Sequence, residues 1–581
     1  MIFEIYNFIK ILPRRDRKRI FIIQFSIVII SLFEVFSALL VAGVVGLMVG
    51  DSSFLSLEFK GFLENLFGKN MLVPIALAIL VLGSALSVWL THRINVTSFD
   101  IGKNISVSLL NYFQNIPYKE HLKNNSSDYI NMILAECNRL SAGVLSPALQ
   151  MMARIVLVVF SFSLMLFVDY QVTLAVLLIF ISVYLLIFYL SRGTLHSNSE
   201  NLTYSNANRL KSLNEIFKGI MIVILSGNQK VLTAKYDEVS TIGAKALASN
   251  STLSSAPRYV VEVLVYLILF GLVVFYSYSD TISIDGLLPL MSLVGVLALK
   301  VLPSLQQVYN FVATIKGNFS VVPILKPPLI AALSEKSICH SVKALRFDDS
   351  ISLDSVSYIY DGSVDFSVHD ISLTINKFDV VAFVGESGSG KTTLTNILAG
   401  LLEPDGTLLV DKYDVSNELQ RWRRNISYVP QELFLIDGTI AENIVFGDTS
   451  YHIDNERLWS AIKLSGLEPL VKKLPLGVDS EVGEGGSKLS GGQRQRLTIA
   501  RALYSDAEVI IFDEATSALD NSTQSIILET IEGLVGFKTI IIVAHRVEAV
   551  RQAKKIYMMD EGRIVDSGSF IDLSKNHKKF L

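Results

Sequence analysis

The chain has 581 residues, of which 51% are hydrophobic and 18% charged, and its mean hydropathy is +0.46. Soluble chains of this length are usually more polar, which indicates that part of the protein lies in lipid. The net charge of −3 argues against nucleic acid as the partner, and the two distant cysteines, Cys137 and Cys339, predict neither a disulfide framework nor a metal site.

The first 325 residues contain apolar runs that are long enough to cross a membrane. Six spans are predicted, at about 20–50, 71–92, 145–168, 172–190, 259–277 and 287–307. The first is not a cleaved signal peptide, because its apolar region is too long and contains Glu34. The basic run PRRDRKR, residues 13–19, precedes this span, whereas the predicted outer turns contain no Lys or Arg. This asymmetry predicts a cytoplasmic N-terminus, and six spans return the C-terminal part to the cytoplasm.

The connections between the predicted spans differ greatly in length. The inner ones, 93–144 and 191–256, are long and helix-forming, so we expect the spans to continue as helices and to dock through segments 117–125 and 214–227. Solvated hairpins are the alternative for these segments. In the outer connection 51–70, apolar residues recur at helical spacing, which predicts a short helix that lies on the membrane surface or packs on the spans.

The stretch VVAFVGESGSGKTTL, residues 380–394, has the pattern of a buried strand, a glycine-rich turn and the start of a helix. It contains GxxxxGK[ST], in which backbone N–H groups and a helix N-terminus surround phosphate oxygens. Lys391 is predicted to neutralise the β- and γ-phosphates of a nucleotide, and the Thr392 hydroxyl to ligate magnesium. The predicted phosphate-binding residues are Gly385, Glu386, Ser387, Gly388, Ser389, Gly390, Lys391, Thr392 and Thr393.

Two further apolar strands end in residues suited to phosphate chemistry. In VIIFDEATSALD, Asp513 is placed to hold magnesium through water, and Glu514 to orient or deprotonate the attacking water. The strand TIIIVA, residues 539–544, ends at His545. Polar residues at the carboxyl ends of parallel strands are typical of ligand sites.

A second anion-binding helix start is predicted in KLSGGQRQRLTIARALY, residues 488–504. There Ser490, Gly491 and Gly492 precede an amphipathic helix. A single nucleotide already engages the first phosphate loop, so this second helix start indicates a partner subunit.

These motifs resemble the nucleotide-binding domain of ATP-binding cassette (ABC) transporters, since the phosphate loop, LSGGQ, VIIFDE, SALD and AHR occur in the order of that family. The resemblance implies ATP and Mg²⁺ as ligands, with Gln431 in YVPQELF sensing the metal. It implies that Tyr360 stacks on adenine, with Tyr358 as the alternative, and that His545 contacts the γ-phosphate as the second catalytic residue beside Glu514. The further ATP contacts that it implies are Leu489, Ser490, Gly491, Gly492, Gln493 and Asp520.

Membrane spans followed by one such domain resemble an exporter-type ABC half-transporter over nearly the whole chain. The expected fold is an α-helical membrane domain of six transmembrane helices (1–325), a linker (326–348) and an α/β P-loop nucleotide-binding domain (349–581). The resemblance implies ATP hydrolysis coupled to transport across a bacterial inner membrane. It implies a homodimer in which each ATP lies between Lys391 of one chain and Ser490 of the other; an unrelated second half-transporter stays open. Gly485 departs from the family, in which exporters commonly have Arg at this position.

Three cations, Arg93, Arg258 and Lys300, are predicted to share the inner half of the membrane. Snorkelling toward lipid headgroups would also explain the first two. If all three face a common cavity, the cargo is an anion, and a diphosphate fits because several cations can meet its closely spaced charges. Glu34 or Glu262 could be the partner of Lys300 instead of a cargo anion, and Arg154 in the third span is a further candidate cation.

The segments PRYVVE and LPSLQQVYNF resemble parts of the exporters that flip lipid-linked oligosaccharides. This similarity implies that a polyprenyl diphosphate glycan moves from the inner to the outer leaflet. Export of another amphipathic lipid, a peptide or a drug is the alternative. A channel gated by the cassette would instead show conductance that is uncoupled from ATP turnover.

Overall fold

The structure is a computed structural model that describes residues 2–49, 72–168, 170–277, 284–334, 343–362, 365–448, 452–514, 521–544 and 550–576; at 38–49 and 284–300 it describes the backbone alone. Contacts divide the chain into two compact units. The first comprises residues 1–116 and 123–337, and the second comprises residues 117–122 and 338–581. The predicted outer helix at 51–70 lies outside the described residues.

The N-terminal part of the chain, as far as it is described, is helical. Its helices are α1 (Ile2–Ile11), α2 (Arg14–Val49), α3 (Leu72–Asn115), α4 (Tyr118–Lys123), α5 (Ser126–Asn131), α6 (Cys137–Leu140), α7 (Ser146–Val168), α8 (Tyr170–Lys218), α9 (Ile220–Ser226), α10 (Gln229–Ser277), α11 (Ile284–Asn318) and α12 (Val321–Ser334). The long helices α3, α8 and α10 extend far beyond the predicted spans. The expected continuation of the spans as helices is therefore confirmed.

Four stretches of the described residues are long and apolar enough to cross a membrane. They are Arg14–Ser37, Leu77–Asn115, Ser126–Ser163 and Leu177–Lys218. Each contains most of one of the first four predicted spans. The fifth and sixth predicted spans lie on α10 and α11, whose side chains are described only in part.

A buried ion pair lies between two π-helical turns, Met132–Glu136 and Ser141–Leu145. Arg139 Nη1 is 3.2 Å from Glu136 Oε2, and the side chains are only 8% and 1% exposed. The same guanidinium donates to Asn318 Oδ1, Thr203 Oγ1, Ser199 O and Oγ, and Ser320 Oγ at 2.7–3.1 Å. One side chain thus connects α6, α8 and the end of α11, because the buried charge requires a partner at each of its donors.

The predicted linker begins within a helix of the first unit. α12 continues through Pro327 and Pro328, and its residues Leu325 and Leu329 are buried in the core of that unit. Burial of these apolar side chains favours the helix despite the two prolines, each of which lacks a backbone N–H donor.

The second unit contains two sheets surrounded by helices. Its strands are β1 (Ser350–Tyr358), β2 (Val368–Asn376), β3 (Val380–Val384), β4 (Asp405–Val410), β5 (Tyr413–Asp414), β6 (Ile426–Val429), β7 (Val509–Asp513), β8 (Thr539–Ala544), β9 (Lys555–Asp560) and β10 (Arg563–Gly568). Its helices are α13 (Lys391–Leu398), α14 (Leu419–Arg423), α15 (Ile440–Ile444), α16 (Asn455–Leu464), α17 (Glu468–Lys473), α18 (Gly491–Tyr504), α19 (Asn521–Leu534) and α20 (Phe570–Asn576).

The larger sheet determines where the functional loops lie. Its strand order is β10-β9-β3-β8-β7-β6, and β9, β3, β8, β7 and β6 run parallel to one another. The smaller sheet, β2-β1-β4-β5, is antiparallel. Helices α15 to α18 form a separate apolar cluster, which includes Leu497 and Ala500 of α18.

The second unit also includes residues 117–122, the first six residues of the predicted docking segment 117–125. Lys119 Nζ lies 2.8 Å from Asp361 Oδ1. In the other predicted docking segment, α9 exposes apolar side chains, including Met221 and Leu225, which are 70% and 76% exposed. An apolar helix with this exposure is suited to contact a partner.

Candidate ATP site and membrane pocket

The loops after β3, β6 and β7 emerge at one edge of the sheet, because these strands are parallel. They carry the glycine-rich loop, Gln431 and Glu514, respectively. The predicted meeting of the glycine-rich loop with Glu514 at one edge is thus found in the structure, and Gln431 lies at the same edge. His545 would follow the neighbouring strand β8, and it lies outside the described residues, as does Asp520.

The glycine-rich loop requires glycine at its first and last positions. Gly385 has φ +152° and Gly390 has φ +96°, both in the region that favours glycine. A Cβ atom would lie 2.1 Å from Met559 O at Gly385 and 2.3 Å from Ser367 O at Gly390. The loop therefore closes tightly on the start of α13, where backbone N–H groups are available for phosphate oxygens.

Lys391 is held inside this loop by the loop's own acceptors. Its Nζ donates to the carbonyls of Gly385 and Glu386 at 2.9 and 2.7 Å and to Ser389 Oγ at 3.3 Å. Burial lowers the pKa of Lys391, and the nearby carboxylates of Glu514 and Asp513 oppose that shift. A desolvated ammonium surrounded in this way gains from an added phosphate charge.

The two candidate adenine-stacking tyrosines differ in exposure. Tyr358 is 5% exposed and belongs to the core of the unit, whereas Tyr360 is half-buried. The rings meet edge to face at 5.0 Å, and Tyr360 Oη lies 3.3 Å from Thr393 Oγ1 beside the phosphate loop. Of the pair, Tyr360 is the more exposed residue and therefore the better candidate to meet a ligand.

The two carboxylates at the end of β7, on Asp513 and Glu514, are each positioned by a side chain from β6 or the loop after it. The Tyr428 hydroxyl donates to Asp513 Oδ2 at 2.6 Å, and Gln431 Nε2 donates to Glu514 Oε2 at 2.7 Å. Burial is the main cause that raises the pKa of Tyr428, and the hydrogen bond to Asp513 raises it further. The hydroxyl therefore keeps its proton and remains a donor. Glu514 has φ +49°, an uncommon conformation for a residue other than glycine, and its N–H donates to Val543 O at 2.9 Å.

The LSGGQ segment forms the exposed start of α18. The Ser490 Oγ accepts from Gln493 N at 3.3 Å, and the Gln493 side chain accepts from Ser490 N at 2.9 Å, a reciprocal capping box. The space beyond Gly491 is open, since a Cβ atom there would meet nothing within 4 Å. The predicted helix start is therefore accessible to a ligand.

Gly485, the departure from the exporter pattern, adopts φ +55° and ψ +21°. This left-handed conformation costs other residues about 1–2 kcal/mol. The backbone at this position is thus suited to glycine.

The helix that begins at the LSGGQ segment, α18, is called the signature helix. Its residue Arg501 connects it to the segment after Gln431. It donates to Phe434 O at 2.9 Å, to Asn443 O at 2.8 Å and to Asn443 Oδ1 at 3.2 Å. The buried Asn443 in turn bonds to the backbone of Ile436 and Thr439. The roles of Arg501, Asn443 and Tyr428 could not be recognised from the sequence, because contacts between residues so distant in the chain leave no periodic pattern.

The predicted cargo cations lie on three different helices. Arg93 on α3 is exposed and sits over the Trp89 ring with its Cζ 5.4 Å from the centroid, a pairing that also suits an interfacial anchor. Arg258 on α10 is exposed. Lys300 lies on α11, and its side chain is outside the described part of the structure.

A small polar pocket lies between α2, α3 and α7, with a volume of about 20 Å³. It contains Glu34 and Arg154, and Ser87 Oγ donates to Glu34 Oε2 at 3.3 Å. Charged side chains inside membrane helices commonly mark substrate pathways. The polar residues that complete its lining are Ser31, Thr91 and Gln150.

The fold and the site together define an ATPase domain joined to a helical membrane region, the class of ATP-driven membrane transporters. Residues 368–517 match the family described as ABC transporter, and residues 20–301 match the ABC transporter transmembrane region. The chain therefore belongs to the ABC exporters, as a half-transporter that couples ATP hydrolysis to transport.

Relatives with established names extend over most of the chain. It is 26% identical over 548 residues to the ATP-dependent lipid A-core flippase of Pseudoalteromonas translucida, covering 92% of this chain and 93% of the relative. It is 28% identical over 459 residues to the heterocyst differentiation ATP-binding protein HepA of a Nostoc species, covering 78% and 74%. The structure of a bacterial Atm1-family ABC exporter with ATP bound has a TM-score of 0.76 at 20% identity and covers 98% and 97% of the two chains, which shows the shared fold.

Proposed function

We propose that two copies of this chain form a homodimer that binds two ATP molecules at its interface. Each ATP contacts the phosphate loop of one subunit, with Lys391, and the signature helix of the other, at Ser490. The open space beyond Gly491 supports this arrangement, because that helix start is available to a ligand. The exposed apolar residues of α9 provide further surface for a second subunit.

The residues at the sheet edge have complementary roles in this proposal. Thr392, Asp513 and Gln431 offer the oxygen ligands that Mg²⁺ prefers and would hold the ion, which would supply positive charge beside the β- and γ-phosphates. Glu514, held by Gln431, accepts the proton of the attacking water. His545 contacts the γ-phosphate, Tyr360 stacks on adenine, and Asp520 lies at the interface between the subunits.

The cargo that we propose is an amphipathic lipid with an anionic headgroup, specifically a polyprenyl diphosphate glycan. The observation that carries the lipid class is the similarity over 92% of this chain to a relative named as a lipid A-core flippase. The pocket of Glu34 and Arg154, at about 20 Å³, has room for about one water molecule and is too small for a lipid headgroup. Relatives named as lipid A-core flippases support a lipid cargo. Arg93, Arg258 and Lys300 receive the diphosphate after the lipid enters from the inner leaflet of the bacterial inner membrane. ATP binding then favours an outward-facing state, and hydrolysis resets the transporter.

Reconstitution in liposomes tests this proposal. A fluorescent polyprenyl diphosphate oligosaccharide is added, and ATP-dependent protection of the glycan from an external modifying enzyme is measured. We expect protection with the wild type and none with Glu514→Gln. Arg258→Ala should retain ATPase activity and lose protection.

Absence of protection despite rapid ATP hydrolysis would contradict the oligosaccharide assignment and leave the transporter class intact. The same assay with a lipid A-core glycolipid then tests the cargo for which the relatives are named. Intact transport after neutralisation of Arg93, Arg258 and Lys300 together would refute their assigned role.

A further inference from the structure

The charged start of α2 has an inner face that holds it against α3. The buried Asp16 accepts from Asn104 Nδ2 at 3.3 and 3.4 Å, and Arg19 Nη1 lies 3.4 Å from Asp100 Oδ2. Both partners belong to α3. Asp16 and Arg19 therefore serve contacts within the first unit.

The opposite face of the same turns carries three exposed cations. Arg14, Arg17 and Lys18, with Phe21 and Ile22, line a wide, open depression in the surface of α2. These positions follow the spacing i, i+3, i+4, i+7 and i+8, which places them on one side of a helix. Cations thus occupy the first turns of this face, and apolar side chains follow directly.

The apolar part of this face continues along the helix. The exposed residues at the same helical spacing are Phe25, Ile29, Leu32 and Phe36. The stretch Arg14–Ser37 is long and apolar enough to cross a membrane. From Arg14 to Ile22 the helix rises about 12 Å, so the cations lie at headgroup level when the apolar residues enter the hydrocarbon.

We propose that Arg14, Arg17, Lys18, Phe21 and Ile22 form a binding site for one anionic phospholipid of the cytoplasmic leaflet. The lipid phosphate lies among the three cations, where charge-assisted hydrogen bonds are available. Its acyl chain follows Phe21 and Ile22 along α2. A free phosphate ion would use the cations alone, so the apolar half of the depression favours a lipid. The site is separate from the ATP site and from the proposed cargo residues.

Binding of a fluorescent phosphatidylglycerol to the full-length protein in neutral mixed micelles tests the site. Unlabelled phosphatidylglycerol should displace the probe, and phosphatidylcholine should not. Since a basic residue near an anionic lipid surface contributes about fivefold in affinity, we expect about fivefold weaker binding in Arg17→Gln and about a hundredfold in the triple Gln variant of Arg14, Arg17 and Lys18.

Arg15→Gln is the matched control, because Arg15 is exposed in the same turn and does not line the depression. An equal loss in Arg15→Gln would overturn the proposal in favour of general surface charge. Equal displacement by soluble glycerol phosphate would overturn the lipid assignment, and an equal loss in Arg258→Ala would show that the probe occupies the cargo site. Basal ATPase activity and size-exclusion profiles report whether each variant is folded.

Discussion

Replacing Glu514 with Gln should abolish ATP hydrolysis without weakening ATP binding. In the wild type, Glu514 Oε2 accepts from Gln431 Nε2 at 2.7 Å, and the amide oxygen of the replacement can accept the same bond. The backbone bond to Val543 O does not depend on the side chain. The substitution therefore removes a charge and a proton acceptor and leaves the position of the group unchanged.

The expected loss follows from the role of a positioned base. Such a group contributes about 10²–10⁴-fold to a rate, equivalent to about 3–5 kcal/mol of activation free energy. The hydrogen bonds that hold Lys391 inside its loop do not involve Glu514. The approaching triphosphate meets one negative charge fewer, so the affinity for ATP should be equal or higher.

Phosphate release and binding of a fluorescent ATP analogue should be measured on the full-length protein in nanodiscs. Glu508→Gln is a matched control, since Glu508 precedes β7 whereas Glu514 follows it. The Glu508 carboxylate pairs with Lys377 at 3.3 Å. The control should hydrolyse ATP at the wild-type rate. A turnover in Glu514→Gln equal to that of Glu508→Gln would refute the assignment of the base.

Three further substitutions test the architecture by thermal unfolding. Arg139→Met should lower the free energy of unfolding by about 3–5 kcal/mol, because it leaves the Glu136 carboxylate buried without its ion-pair partner. Adding Glu136→Gln should recover much of this loss. Equal unfolding temperatures for Arg139→Met and the wild type would contradict the prediction. Arg501→Met should lower the free energy of unfolding by about 2–4 kcal/mol, since two backbone carbonyls lose their hydrogen-bond donor. Arg501→Lys should lose less stability than Arg501→Met, because the lysine can still donate. Gly485→Arg should lower the free energy of unfolding by about 1–2 kcal/mol, because the backbone at this position is left-handed. An unfolding temperature above that of the wild type would contradict the prediction that this backbone is strained for arginine.

The ATP site could be predicted from sequence because its signals are local. The loop at Gly385–Gly390 lies between a strand and a helix that are both visible in the residue pattern, and parallel strands bring Gln431 and Glu514 to the same edge. The hydrogen bond between those two side chains could be recognised only in the structure, because the residue pattern does not predict the distance between them.

Contacts between distant elements could not be predicted in this way. Arg501 and Asn443 are 58 residues apart, and their bond depends on how α18 packs against α15. The meeting of Glu34 and Arg154 in one pocket depends on the rotation of α2 and α7 about their axes. The sequence places both residues on spans and leaves these rotations undetermined.

The inclusion of residues 117–122 in the second unit means that one part of this unit is synthesised long before the rest. Lys119 emerges from the ribosome about 240 residues before its partner Asp361, which at synthesis rates of about 5–20 residues per second means a delay of about 12–50 s. During that interval the segment is synthesised and its binding surface is not. Segment 117–122 therefore makes its contact with Asp361 only after synthesis has passed that residue, and truncations before that point should leave the segment open to proteases.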